Sequence, residues 1–261
     1  VGDPQIAALV AKGRDFSVDD QALLGRKQTE VLGHVIPVYR QFASTGQIEI
    51  STTPFYHPIL PLVCDSNIAG ISNPGVPLPS RFRYPEDARE QLRRARAYME
   101  MQTGVAPVGL WPSEGSVSDE ALALAADCGF KWFATDNGVL GRTLGRDAGV
   151  VETYRPYLWQ QNGREMHGLF RDHYLSDLVG FTYSKMGADE AADHLMSRIV
   201  ENAGGRDSLV PVILDGENAW EYFPESGRDF LRRLYQRLES TPGVSAPPLS
   251  EALGRHPPPP L

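Results

Sequence analysis

The sequence predicts an α/β fold in which parallel strands are covered by helices, as one sheet or barrel. Two observations carry this reading. Helical and extended signals alternate from Thr29 onward, the rhythm of strand, crossover helix and parallel strand. Three apolar runs end in an acidic and aromatic tip: Val108 to Glu114, Met166 to Asp172, and Leu209 to Asp215, Glu217 and Trp220. Acids at the C-terminal ends of buried strands are where barrel enzymes place reacting groups. At 261 residues, 41% hydrophobic and 22% charged, the chain is long enough to bury a full core.

Taken in order, Val31, Val35, Val38 and Phe42 recur at helical spacing, with Pro37 expected to kink that helix or shift its start. Gly46 stops it before an extended Gln47 to Ser51. Residues 65 to 85 break the rhythm with several prolines and predict a long loop, suited to walling a cleft. Ala88, Leu92, Ala95 and Met99 mark the next helix, ended by Gly104 ahead of the strand at Val108. Ser116 and Asp119 resemble a capping box for a short helix over Ala121, Leu122 and Ala125, followed by the strand Lys131 to Thr135. Ala188, Ala192, Leu195 and Ile199 form a helical stripe before the strand at Leu209, and Phe230, Leu234 and Leu238 form the last. Residues 1–240 thus read as one catalytic domain, and 241–261, rich in proline, as a linker or the start of a further segment.

A net charge of -8 argues against a nucleic-acid partner, which needs a basic surface to meet phosphates. The basic run from Arg89 to Arg96 is interleaved with acids and reads as a solvated helix face. Cys64 and Cys128 form no metal-binding pattern, the six histidines are scattered, and no metal or other cofactor is expected. No apolar run is long enough to span a bilayer and no signal peptide is visible, so no membrane partner and a cytoplasmic location are expected.

The acids themselves suggest glycoside chemistry, in which one carboxylate attacks and the other carries a proton. The competing structural use is that each acid caps the helix following its strand. Likewise, His57 reads either as a site residue or as a buried residue fixing a loop, and Trp111, Trp220, Tyr56 and Tyr222 either stack on sugar rings or fill the core.

Four segments, Gly46 to Leu62, Gly109 to Gly115, Phe170 to Phe181 and Leu214 to Trp220, together resemble glycoside hydrolase family 57, in its α-amylase and amylopullulanase branch. The resemblance implies an incomplete (β/α)7-type barrel acting with retention on α-linked glucans such as maltooligosaccharides. It implies Glu114 as nucleophile and a fourth-region aspartate as acid/base. Of the two candidates there, Asp172 shares parity with Met166 and Phe170 and ends the apolar run, which favours it over Asp177. Asp177 is then a substrate contact or helix start. His57 matches a second-region histidine that donates to a sugar hydroxyl, and Asp215 and Glu217 are expected to meet hydroxyls or support the acid.

The family's first-region His-Gln-Pro motif is not found and its helical segment beyond the barrel is not seen, so a barrel truncated at both ends is expected, with a gap beside Gln47. A 4-α-glucanotransferase or branching enzyme would use the same residues, and a non-catalytic carbohydrate-binding relative is the other alternative. A metal-dependent deacetylase is disfavoured, because no His-x-His or His-x-x-x-His occurs.

Overall fold

The computed structural model describes residues 2–216, 220–256 and 258. Helices α1 (Pro4–Lys12) and α2 (Val18–Ser44) come first. They are followed by β1 (Ser51–Thr52), α3 (Leu60–Cys64), α4 (Ala69–Ser72), α5 (Pro85–Thr103), β2 (Gly109–Leu110), α6 (Asp119–Asp127) and β3 (Trp132–Asp136). Then come α7 (Asn137–Leu144), α8 (Val150–Thr153), the hairpin β4 (Tyr157–Gln161) and β5 (Arg164–Arg171), and helices α9 (His173–Asp177), α10 (Ala188–Ala203), α11 (Arg228–Ser240) and α12 (Leu249–Arg255).

The strands form one open sheet in the order β1-β2-β3-β5-β4. The first four of these run parallel, as the alternation predicts, and β4 pairs antiparallel with β5. The sequence reading lacked that hairpin, although its signal is plain. Asn162 and Gly163 both take positive φ, 49° and 75°, as a two-residue type I′ connection demands.

Residues 209–214, expected as a strand, form no strand by hydrogen bonding but alternate like one. Leu209 and Ile213 pack with Trp132, Ala134 and Leu169. Val210, Val212 and Leu214 pack instead with α10 and its neighbours. The segment lies along the end of β5, where the Asp172 N–H donates to the Pro211 carbonyl at 2.9 Å.

Both faces of the sheet centre are covered, so β3 and β5 carry two apolar sets. On the inner face Trp132, Ala134 and Leu169 meet Trp111, Ile213 and Leu253. On the outer face Phe133, Leu110 and Met166 meet α3, α5 and α6, and Phe170 meets Leu140 of α7. A glycine at position 109 is required by the inner face, because a Cβ there would lie 1.9 Å from the Trp132 ring.

Three local expectations change. Pro37 lies inside the continuous helix α2, whose apolar residues Val31, Val35 and Val38 stay exposed. Ser118, in place of Ser116, caps α6 by accepting from the Ala121 N–H. The stretch read as linker contains α12, which buries Ala252 and Leu253 and is tied to the sheet by Glu49. The Glu49 carboxylate accepts from the Ser250 N–H (2.6 Å), the Ser250 hydroxyl (2.7 Å) and the Trp132 indole N–H (2.8 Å).

Candidate active site

Because β1, β2, β3 and β5 are parallel, the residues after Thr52, Leu110, Asp136 and Arg171 gather at one edge of the sheet. Glu114 stands there in a short turn, Ser113–Gly115, with φ 57° and ψ 21°. His57, in the loop after β1, also has φ 56°. Left-handed backbone is costly for a residue with a Cβ and is concentrated where function holds it in place. The two side chains meet: His57 Nε2 lies 3.3 Å from Glu114 Oε1, and Nδ1 lies 3.0 Å from the Thr53 hydroxyl. Such an arrangement has Nε2–H donating to the carboxylate while Nδ1 accepts from Thr53. The Glu114 side chain is 74% exposed, so it is presented to solvent and not consumed by the fold. Gly115 is held from behind, its carbonyl accepting from the buried Thr135 hydroxyl.

Asp172 is placed differently. It is 5% exposed and caps α9, with Oδ1 accepting from the Leu175 N–H at 2.8 Å and Oδ2 from the Tyr154 hydroxyl at 2.6 Å. Burial, and then the Asp172 carboxylate, push the Tyr154 phenol well above its ordinary value, which keeps it a donor. Strand parity explains the position. Asp136 pairs in register with Arg171, and Ala134 with Leu169, so these four share the inner face. Asp172 falls on the opposite side with Phe170, toward the helices. Asp172 does share parity with Met166 and Phe170, and that side of β5 is the outer one.

The inner face at this edge carries residues the sequence reading set aside. The Arg171 guanidinium donates to Asp177 Oδ1 (2.7 Å), Asp136 Oδ2 (3.1 Å) and the Ile213 carbonyl (3.2 Å). His173 joins the same two acids, Nε2 lying 2.9 Å from Asp177 and Nδ1 3.2 Å from Asp136. Burial pushes the Asp136 carboxyl up, but the Gly138 N–H, His173 and Arg171 outweigh it and hold it below the usual range. The expected substrate contact Asp177 is thus engaged within this network. Strand alternation points Arg171 to the face opposite Asp172, which set it aside as a partner of that acid, and His173, with no partner visible in the sequence, reads as structural.

Asp215 follows Ile213 by two residues, which gives it the inner-face parity, and it is exposed. Tyr56 is 71% exposed beside His57. Trp111 is partly buried on the inner face. Trp220 packs on Phe223 and Phe230, with ring centroids 5.5 and 6.3 Å apart, and serves the core. Glu217 lies outside the described residues. Among the described residues no group of three or more His, Cys, Asp or Glu is arranged to hold a metal ion, and no helix is long and apolar enough to cross a membrane.

The open, mostly parallel α/β sheet presents a strained, exposed glutamate at the C-terminal edge of its strands, where α/β enzymes place their reacting groups. The chain belongs to glycosyl hydrolase family 57, whose family model matches residues 17–261. Its fold is similar to that of a GH57-type branching enzyme from Pyrococcus horikoshii (TM-score 0.65, 15% identity, covering 97% of this chain and 53% of that one). It is also similar to a 4-alpha-glucanotransferase from Thermococcus litoralis (0.63, 18%, covering 85% and 31%). A third likeness is to an alpha-amylase from Thermotoga maritima (0.63, 13%, covering 90% and 54%). The chain therefore spans about half or less of the length of these proteins. Comparison with curated proteins gave no match.

Proposed function

We propose that this protein cleaves α-linked glucans with retention of configuration, using Glu114 as nucleophile and Asp215 as proton donor. The observation that carries this reading is Glu114 itself, exposed at the mouth of β2, in left-handed backbone, with one carboxylate oxygen held by His57. Among the solved structures with this fold are a branching enzyme, a 4-alpha-glucanotransferase and an alpha-amylase, alongside a putative polysaccharide deacetylase.

In the first step a Glu114 oxygen bonds to the anomeric carbon, the glycosidic C–O bond breaks, and Asp215 gives its proton to the departing oxygen. In the second, Asp215 takes a proton from the incoming hydroxyl, whose oxygen displaces Glu114. Asp215 is chosen over Asp172 because a donor must reach the glycosidic oxygen. Asp172 is buried behind the sheet, whereas Asp215 is solvent-exposed at the end of a segment with inner-face parity. Tyr56, exposed beside His57, is suited to stack on a sugar ring.

The test is product analysis of the full-length protein on maltooligosaccharides. Shorter sugars alone indicate water as acceptor, longer or branched products a sugar acceptor. Loss of turnover by about 10⁴-fold in Glu114→Gln is expected. An unaltered rate in that variant, or no new products at all from the unaltered protein, would overturn the proposal.

A further inference from the structure

We infer that Arg171 is a positioning residue for the proton donor, fixing the segment that presents Asp215. The inference rests on the reading of Asp215 given above.

Arg171 is the last residue of β5 and faces the inner side, in register with Asp136 of β3. Its three donors reach three separate pieces of chain: Asp136 at the end of β3, Asp177 at the end of α9, and the carbonyl of Ile213. The last contact is the informative one. Ile213 lies two residues before Asp215 in a segment that lacks the ladder of a strand, so side chains take over its alignment. The Ile213 N–H is held by the Ser176 hydroxyl at 3.2 Å and its carbonyl by Arg171. Both backbone groups of one residue are thus clamped from the β5–α9 corner, immediately ahead of the acid.

The charges fit a clamp more than a ligand site. Asp136 and Asp177 neutralise the guanidinium, and His173 bridges the same two carboxylates from the open side. A bound cation would meet Arg171 at the centre, and an anion would meet two carboxylates. The planar fork of arginine can serve three acceptors at once; a lysine ammonium, compact and on a flexible stem, cannot reproduce that geometry. A shift of about 1 Å in a reacting group costs on the order of 100-fold in rate.

The experiment compares Arg171→Ala and Arg171→Lys in the full-length protein on two substrates. One is a maltooligosaccharide, whose leaving alkoxide needs a proton; the other is an α-glucosyl fluoride, whose leaving group does not. Expected is a fall in kcat of about 100-fold on the oligosaccharide with KM within about threefold. The pre-steady-state release of fluoride should stay within about threefold of the unaltered rate. Equal losses on both substrates, or a change in KM alone, would overturn the inference. If Arg171→Ala does not fold, Arg171→Lys decides by the same two criteria. Asp215→Ala serves as reference: if azide fails to restore its turnover of the fluoride, the donor assignment itself is wrong. If azide restores it while the Arg171 variants keep normal oligosaccharide rates, only the inference fails.

Discussion

His57 and Glu114 come from loops after different strands, adopt the same left-handed backbone, and meet through a 3.3 Å contact between Nε2 and Oε1. Each conformation costs about 1–2 kcal/mol for a residue with a Cβ, a cost the surrounding fold must offset. Glu114→Gly should therefore raise the midpoint of thermal unfolding, by about 1 kcal/mol in stability, while abolishing turnover. A glycine variant less stable than the parent would remove the argument from strain. His57→Ala should lower kcat/KM by about 100-fold, measured on the same oligosaccharide.

For Asp172 the prediction is one of stability. Asp172→Ala deletes a helix cap and leaves the buried Tyr154 hydroxyl without that acceptor, a loss of about 2–3 kcal/mol. Tyr154→Phe should cost less, and the two effects should be non-additive in a double-mutant cycle of denaturant unfolding. Residual soluble protein should retain most of its turnover per folded molecule. A folded Asp172→Ala protein of parental stability and no activity would return the acid/base role to Asp172.

Acid titration should show the contribution of Asp136. Its folded-state value lies below the ordinary 3.8, so its stabilising effect is fully present above that value and is lost as pH falls through the lower folded value. Asp136→Asn should lower stability at neutral pH and flatten the loss of stability below about pH 4. Parallel acid-unfolding curves for the two proteins would show that the Arg171 and His173 contacts do not favour the ionised form.

Gly109 offers a test of packing apart from chemistry. A Cβ there would overlap the Trp132 ring, so Gly109→Ala should destabilise by about 1–3 kcal/mol or more. Recovery by the second change Trp132→Leu, read by thermal unfolding, would identify the ring as the obstacle.

Helices α5, α6, α10 and α11 were legible because apolar residues such as Ala88, Leu92 and Ala95, or Ala192 and Leu195, repeat at helical spacing and are buried as that spacing requires. Glu114 was legible because a polar residue closes a buried run. The face of β5 was not: Met166, Leu169 and Phe170 are all buried, and a strand apolar on both sides gives no sign of which side meets substrate. The role of Arg171 was illegible because its partners Asp136 and Ile213 lie 35 and 42 residues away along the chain. α12 was hidden by its prolines, since Pro248 at its N-cap reads as a breaker when it is in fact a start.

The tie between Glu49 and Ser250 spans 201 residues, so it bears on how the chain reaches its native state. During synthesis the cover of the inner surface around Trp132 and Leu169 stays incomplete until α12 emerges, because Leu249 and Leu253 form part of it. Contacts of such long separation close late and slowly. A ribosome-tethered chain ending before Leu249 should thus bind an apolar-surface dye such as ANS, and release of dye should coincide with emergence of α12.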